Sequence, residues 1–184
     1  MTLKISRRNL ERIFLHSKES CPVEACGILI GTVAGDLRTV VEARRAKNQL
    51  SSESSYEIDP ESLFGAFTYA EQNELEVVGF YHSHPFWSAD ASETDDARAN
   101  YPGLSYLIYS LAKNEAKSYY FDGTRLMNEP VKITSTRKQA LGLLGAPARL
   151  SRDSSDLHDR QNNFRSSSEN SGQSGSESSL LPTA

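Results

Sequence analysis

Apolar and polar positions alternate along the first 133 residues in a way that marks out strands and helices in turn. Leu3-Lys4-Ile5 reads as a short first strand. Ser6 can cap a helix running to about Lys18, with Leu10, Ile13 and Phe14 on one face at helical spacing. Pro22 restricts the residue before it, so Cys21-Pro22-Val23-Glu24 breaks that helix. Ala25 to Val33 is a near-continuous apolar run, the pattern of a buried strand. Leu37 to Ala46 is a second strand beyond a Gly35-Asp36 turn, so the two are expected as antiparallel neighbours.

The polar, Ser-rich stretch Asn48 to Ser55 reads as a loop, and Tyr56 to Ile58 as a short strand. Asp59-Pro60-Glu61 supplies a cap, a proline at the first helical position and an acid in the first turn. Leu63, Phe64, Phe67 and Ala70 continue that helix to about Asn73. The apolar run Val77-Val78-Gly79-Phe80-Tyr81 then leads into His82-Ser83-His84-Pro85, and Pro85 should end the strand. A helix from Ser92 to about Asn100 follows, then a turn at Tyr101-Pro102-Gly103 and a buried strand from Ser105 to Leu111. Lys117–Phe121 and Leu126–Ile133 read as a hairpin around Asp122-Gly123. This order predicts a single-domain α/β sandwich with a mixed sheet flanked by helices.

The pattern changes near Arg137. Residues 137–150 read as a weak helix or linker, because Gly142, Gly145 and Pro147 oppose helix formation. Residues 151–184 are dominated by Ser, Asn, Asp and Glu. With too few apolar residues to offset the entropy of ordering, they are expected to form a disordered tail. Leu180-Leu181-Pro182 is its apolar spot, read as chance composition ahead of a docking motif. The folded domain is expected over 1–136.

The chemistry gathers in Val77 to Asp96. Residues i and i+2 of a strand share a face, so His82 and His84 present two imidazoles side by side. Ser92 is a helix N-cap, and Asp95, three residues on, faces the same end of the first turn. Two histidines and one carboxylate make a three-ligand set. Such a set leaves the fourth position on zinc open for water, the catalytic rather than the structural pattern. Hydrolysis also needs a group to take and return a proton, and Glu24, between a proline and a buried strand, is the candidate. The Ser92 hydroxyl is a candidate donor to a developing oxyanion. No Gly-x-Ser-x-Gly elbow supports a serine hydrolase. Cys26 falls inside an apolar strand and reads as a buried structural thiol rather than a nucleophile.

Composition narrows the partners. The 184 residues carry a net charge of −4, with no basic stripe to favour nucleic acid. Two cysteines five positions apart, Cys21 and Cys26, make no disulfide framework. No apolar leader and no membrane-length apolar run stand in the sequence, so no membrane association is expected and a cytoplasmic location is.

Glu24, His82-Ser83-His84-Pro85 and Ser92-x-x-Asp95 together resemble the JAMM motif of the MPN+ metalloprotease family. Pro22-Val23-Glu24-Ala25-Cys26-Gly27-Ile28-Leu29 is similar to the prokaryotic and archaeal members around their glutamate. The likeness spans about residues 2–133. It implies an MPN-type, cytidine-deaminase-like fold and a zinc-dependent peptidase. His82, His84 and Asp95 would hold the zinc, with Glu24 as general acid/base and Ser92 as oxyanion stabiliser. The family cuts isopeptide or peptide bonds after the C-terminal diglycine of ubiquitin and its small β-grasp relatives. The implied partners are a ubiquitin-like or sulfur-carrier protein ending in Gly-Gly, and with it the proteasome or a conjugation system. The short path from Asp95 to the next strand leaves no room for the insertion of linkage-selective members. This resembles a compact prokaryotic or archaeal form of the proteasome-lid deubiquitinase. A sulfur-carrier-processing peptidase and a non-catalytic interaction module are the alternatives.

Overall fold

The computed structural model describes residues 1–135. The expected helix or linker at 137–150 and the Ser-rich segment at 151–184, with Leu180-Leu181-Pro182, lie outside the described residues. The elements follow in the order β1 (Thr2–Ser6), α1 (Arg7–Ser20), β2 (Cys26–Ala34), β3 (Leu37–Ala46), α2 (Pro60–Gln72), β4 (Glu76–His84), α3 (Glu93–Arg98), β5 (Ser105–Ser110), β6 (Glu115–Phe121), β7 (Leu126–Glu129) and β8 (Val131–Thr134). All eight strands join one mixed sheet in the order β7-β6-β5-β4-β2-β3-β1-β8. The α/β fold class and the antiparallel β2–β3 pair agree with the sequence pattern.

Two expectations are corrected. Tyr56 to Ile58 forms no strand, only an isolated bridge between Asn48 and Ile58. Asn48 instead organises the preceding loop, its side-chain oxygen accepting from the amides of Leu50 and Glu57. Leu126 to Ile133 is not one hairpin arm. It is split at Pro130, which lacks the N–H a continuous ladder needs. The first half pairs antiparallel with β6, while the second pairs parallel with β1 at the opposite edge. One residue therefore joins the two edge strands, and the sheet must curl until its edges meet at Pro130, whose carbonyl accepts from the Leu3 amide at 3.0 Å.

The curled sheet has a core on each face. One face carries Leu3, Ile5, Leu29, Val40, Val78, Tyr81 and Leu107, closed by Ile13, Leu10 and Phe14 of α1. The other carries Ile28, Ile30, Val77, Phe80, Tyr106 and Ile108, closed by Ala66 and Ala70 of α2. The starts of the helices follow their sequence signals. The Ser6 hydroxyl accepts from the Asn9 amide, and the Asp59 carboxylate from that of Ser62, with Pro60 next in line.

β4 is central and positions the site. It lies between β2, antiparallel, and β5, parallel. Its register against β2 slips once, passing over Val78, a bulge that sets which residues beyond it face α2. Phe80 lies on that face, and so by alternation do His82 and His84. Tyr81 lies on the α1 face, where His16 Nδ1 and its hydroxyl are 2.8 Å apart. Gly27 permits this packing, since a Cβ there would stand 2.3 Å from the Tyr81 ring and 2.2 Å from the Arg44 carbonyl oxygen.

Candidate metal centre

The end of β4 brings the predicted ligands together. The Nε2 atoms of His82 and His84 face one another at 3.2 Å. Asp95 reaches in from the start of α3, with Oδ1 3.0 Å from His82 Nε2 and Oδ2 3.4 Å from His84 Nε2. One atom from each residue can be chosen so that all three lie within 4.8 Å of one another. Both imidazoles are buried, at 1% and 6% exposure.

Local structure explains why Asp95 points this way. Ser92 and Asp95 form a reciprocal capping box. The Asp95 amide donates to Ser92 Oγ at 3.1 Å, while Asp95 Oδ2 accepts from the Ser92 amide at 2.8 Å and from its hydroxyl at 2.6 Å. Oδ2 thus accepts the cap's two hydrogen bonds while also lying near His84, and Oδ1 faces His82. The cap and the candidate ligand expected from the sequence are one carboxylate.

The residues fit a bound cation. His84 Nδ1 lies 2.7 Å from the Ser88 carbonyl oxygen, which can only accept, so this nitrogen carries the proton. Neutral His84 therefore presents the lone pair of Nε2 to the centre, the arrangement a metal ligand needs. The Tyr56 ring stacks on His82 at 4.4 Å between centroids and 22° between planes, fixing the other imidazole. Two nitrogen atoms and a carboxylate oxygen, converging in a buried space, suit zinc.

Electrostatics point the same way. Burial holds His82 below the ordinary imidazole range, against the opposing pull of Asp95. Burial also acts to lower His84, but Asp95, the Ser88 carbonyl and Glu24 outweigh it and leave its pKa raised. For Asp95 burial acts upward, and the contacts with both histidines and Ser92 overcome it, leaving the carboxyl far below its usual range. At the cluster an ionised Asp95 carboxylate faces the two imidazoles.

Glu24 arrives from the neighbouring strand. The Ser83 amide donates to the Ala25 carbonyl, and the Ala25 amide donates to Ser83 Oγ, each at 2.9 Å. Continuing this antiparallel pairing by one residue sets Glu24 opposite His84, on the same face. Glu24 is 2% exposed, and its Oε2 has no hydrogen-bond partner among the described residues. Burial pushes its pKa up to about 8; His84 pulls it down and Asp95 adds to the rise. Glu24, His84 and Ser92 line one cleft of about 470 Å³. All five residues singled out in the sequence thus gather at one end of the sheet. Cys26 is fully buried, with its thiol pushed up to about 12 chiefly by burial, so it offers no thiolate at neutral pH.

Sequence reading missed the supports: Ser83, Tyr56 and the Ser88 carbonyl. Ser83 had one signal, a small polar residue between two histidines at the end of an apolar run. Tyr56 and Ser88 reach the site through long-range packing and a backbone oxygen, neither of which leaves a mark in local sequence.

Residues 6–122 match the family described as prokaryotic homologs of the JAB domain, and the chain belongs to it. The chain is 38% identical over 105 residues to a protein of Haloferax volcanii named desampylase, covering 54% of this chain and 74% of that protein. It is 27% identical over 124 residues to a Mycobacterium tuberculosis protein named CysO-cysteine peptidase, covering 64% and 82%. A Desulfitobacterium hafniense protein solved in solution superposes with a TM-score of 0.68 at 28% identity, over 75% of this chain and 97% of that one. The expected compact prokaryotic or archaeal JAMM-type fold is borne out. Among the described residues no helix is long and apolar enough to cross a membrane.

Proposed function

We propose that this protein is a zinc-dependent peptidase that cleaves after the C-terminal diglycine of a ubiquitin-like or sulfur-carrier protein of the small β-grasp kind. The observation that carries the reading is the convergence of His82, His84 and Asp95 beside a buried carboxyl, Glu24, which shares an open cleft with His84. The names of the relatives, a desampylase and a CysO-cysteine peptidase, support a peptidase acting on such a protein.

His82, His84 and Asp95 would hold the ion. Zinc in such a site supplies Lewis acidity and makes a bound water acidic enough to react near neutral pH. Glu24 carries the proton. Its carboxylate takes one from the attacking water, and burial, which favours the neutral acid, helps the carboxyl hold that proton until the amine departs. As the carbon–oxygen bond forms and the carbon–nitrogen bond breaks, Glu24 returns the proton to the departing amine. Ser92, on the rim of the same cleft, donates to the tetrahedral oxygen of the substrate, exchanging its bond to Asp95 for one to the reacting group. A diglycine suits this place because, with no side chains, it lets the scissile carbonyl approach buried residues.

The test uses zinc-loaded protein and a panel of β-grasp proteins carrying an extension beyond Gly-Gly. Mass spectrometry should show cleavage after the second glycine, abolished by a chelator and restored by zinc. Failure to cut any member of the panel would refute the reading.

A further inference from the structure

The segment between the second histidine and α3 is unusual in what it holds still and what it leaves out. Its backbone is fastened at successive points. The Ser88 carbonyl receives His84 Nδ1 at 2.7 Å, and the Trp87 carbonyl receives the Ser110 hydroxyl. The Ala89 carbonyl accepts from the Tyr119 hydroxyl at 3.1 Å, and that hydroxyl in turn accepts from the Ala91 amide at 3.1 Å. Ala89 is fully buried. Yet Phe86 and Trp87, the two largest apolar side chains of the segment, are 54% and 51% exposed, edge to face at 5.9 Å. Both rings stand out from this anchored backbone. Exposed aromatic rings on a rigid support are the composition of a binding hot spot.

Their position identifies the occupant. Trp87 lines the cleft that also holds Glu24, His84 and Ser92. The departing amine takes its proton from Glu24, so the group that leaves must lie on the Glu24 side of the reacting carbon. We infer that Trp87, flanked by Phe86, forms the leaving-group subsite, with the alkyl stem of the acceptor lysine lying across the indole face. This inference rests on the peptidase reading above. It adds that the enzyme selects for what the diglycine is joined to, as well as for the modifier itself.

Trp87 is the only tryptophan in the chain, so its fluorescence reports on this subsite alone. Acetyl-Gly-Lys-Gly-amide, titrated into the zinc-loaded protein, should shift the emission saturably, while acetyl-Gly-Gly-Gly-amide should not. Absence of any difference between the two peptides would overturn the inference, whether or not conjugates are cleaved. Kinetics supply the second readout. One β-grasp protein ending in Gly-Gly is joined to the Nζ of a peptide lysine in one substrate and to methylamine in the other. In Trp87→Ala the preference in kcat/KM for the lysine conjugate should fall about tenfold or more, the loss expected of an interface hot spot. Trp87→Phe should recover part of it. Equal losses on both substrates, or none on either, would overturn the subsite. A wild-type protein that cleaves neither conjugate yet answers the lysine peptide would refute the peptidase reading and leave the subsite standing.

Discussion

Ser83 makes the most demanding prediction, because its side chain is fully buried and bonds to the backbone beside Glu24 instead of joining the cluster of His82, His84 and Asp95. It is fully buried on the α1 face of β4, and its Oγ takes the Ala25 amide proton at 2.9 Å. Ser83→Ala removes that acceptor with little change in volume and leaves a backbone N–H buried without a partner. Such a loss costs about 1–3 kcal/mol. In a protein of this size that corresponds to a fall of several degrees in melting temperature. The amide belongs to the residue after Glu24, so the carboxyl should also lose its fixed position. Misplacement by about 1 Å can cost up to about 100-fold in rate. Urea denaturation, hydrogen exchange at the Ala25 amide and single-turnover cleavage form the assay. The expected result is lower stability, faster exchange at Ala25, a turnover loss of about 10- to 100-fold and unchanged zinc content. Wild-type stability together with wild-type turnover would refute the reasoning, since the Ala25 amide would then not depend on Ser83.

Two further outcomes separate the parts of the site and of its support. Asp95→Ala should abolish zinc binding and weaken the α3 cap, whereas Ser92→Ala should keep zinc while lowering turnover by about 10²–10³, as loss of an oxyanion donor does; metal analysis with kinetics checks both. His16 is held by burial, with Arg45 adding and Glu19 opposing, at a pKa of about 4 instead of its ordinary 6.5. Between these values the unfolded chain binds more protons than the folded one, so stability should fall as pH drops through that window, by at most about 3 kcal/mol. Denaturation between pH 7 and 4 reads this slope as the difference between wild type and His16→Gln, because Glu24, raised by burial, adds an opposite slope to both proteins.

The site was more legible than the sheet that carries it. His82 and His84 could be read from strand alternation, and Asp95 from its place three residues after a cap, because both are local periodicities. Glu24 was readable as a candidate, but its setting opposite His84 depends on strand pairing across nearly sixty residues. The curl of the sheet was not readable. Pro130 is a visible break in Leu126 to Ile133, but only the distant partners decide that its two halves join opposite edges of the sheet. Tyr56 was misassigned for a related reason. Tyr56 and Ile58 at alternate positions suggest a strand, while the Tyr56 ring is held by stacking on His82.

Zinc content and single-turnover cleavage, measured together on wild type and Glu24→Gln, test the central claim most directly. The amide keeps the shape of a protonated Glu24 but cannot accept a proton. The account predicts about one zinc bound per chain in both proteins and turnover lower by about two or more powers of ten in the variant. Full activity in Glu24→Gln would contradict it, as would a wild type that cleaves a diglycine substrate with no metal bound.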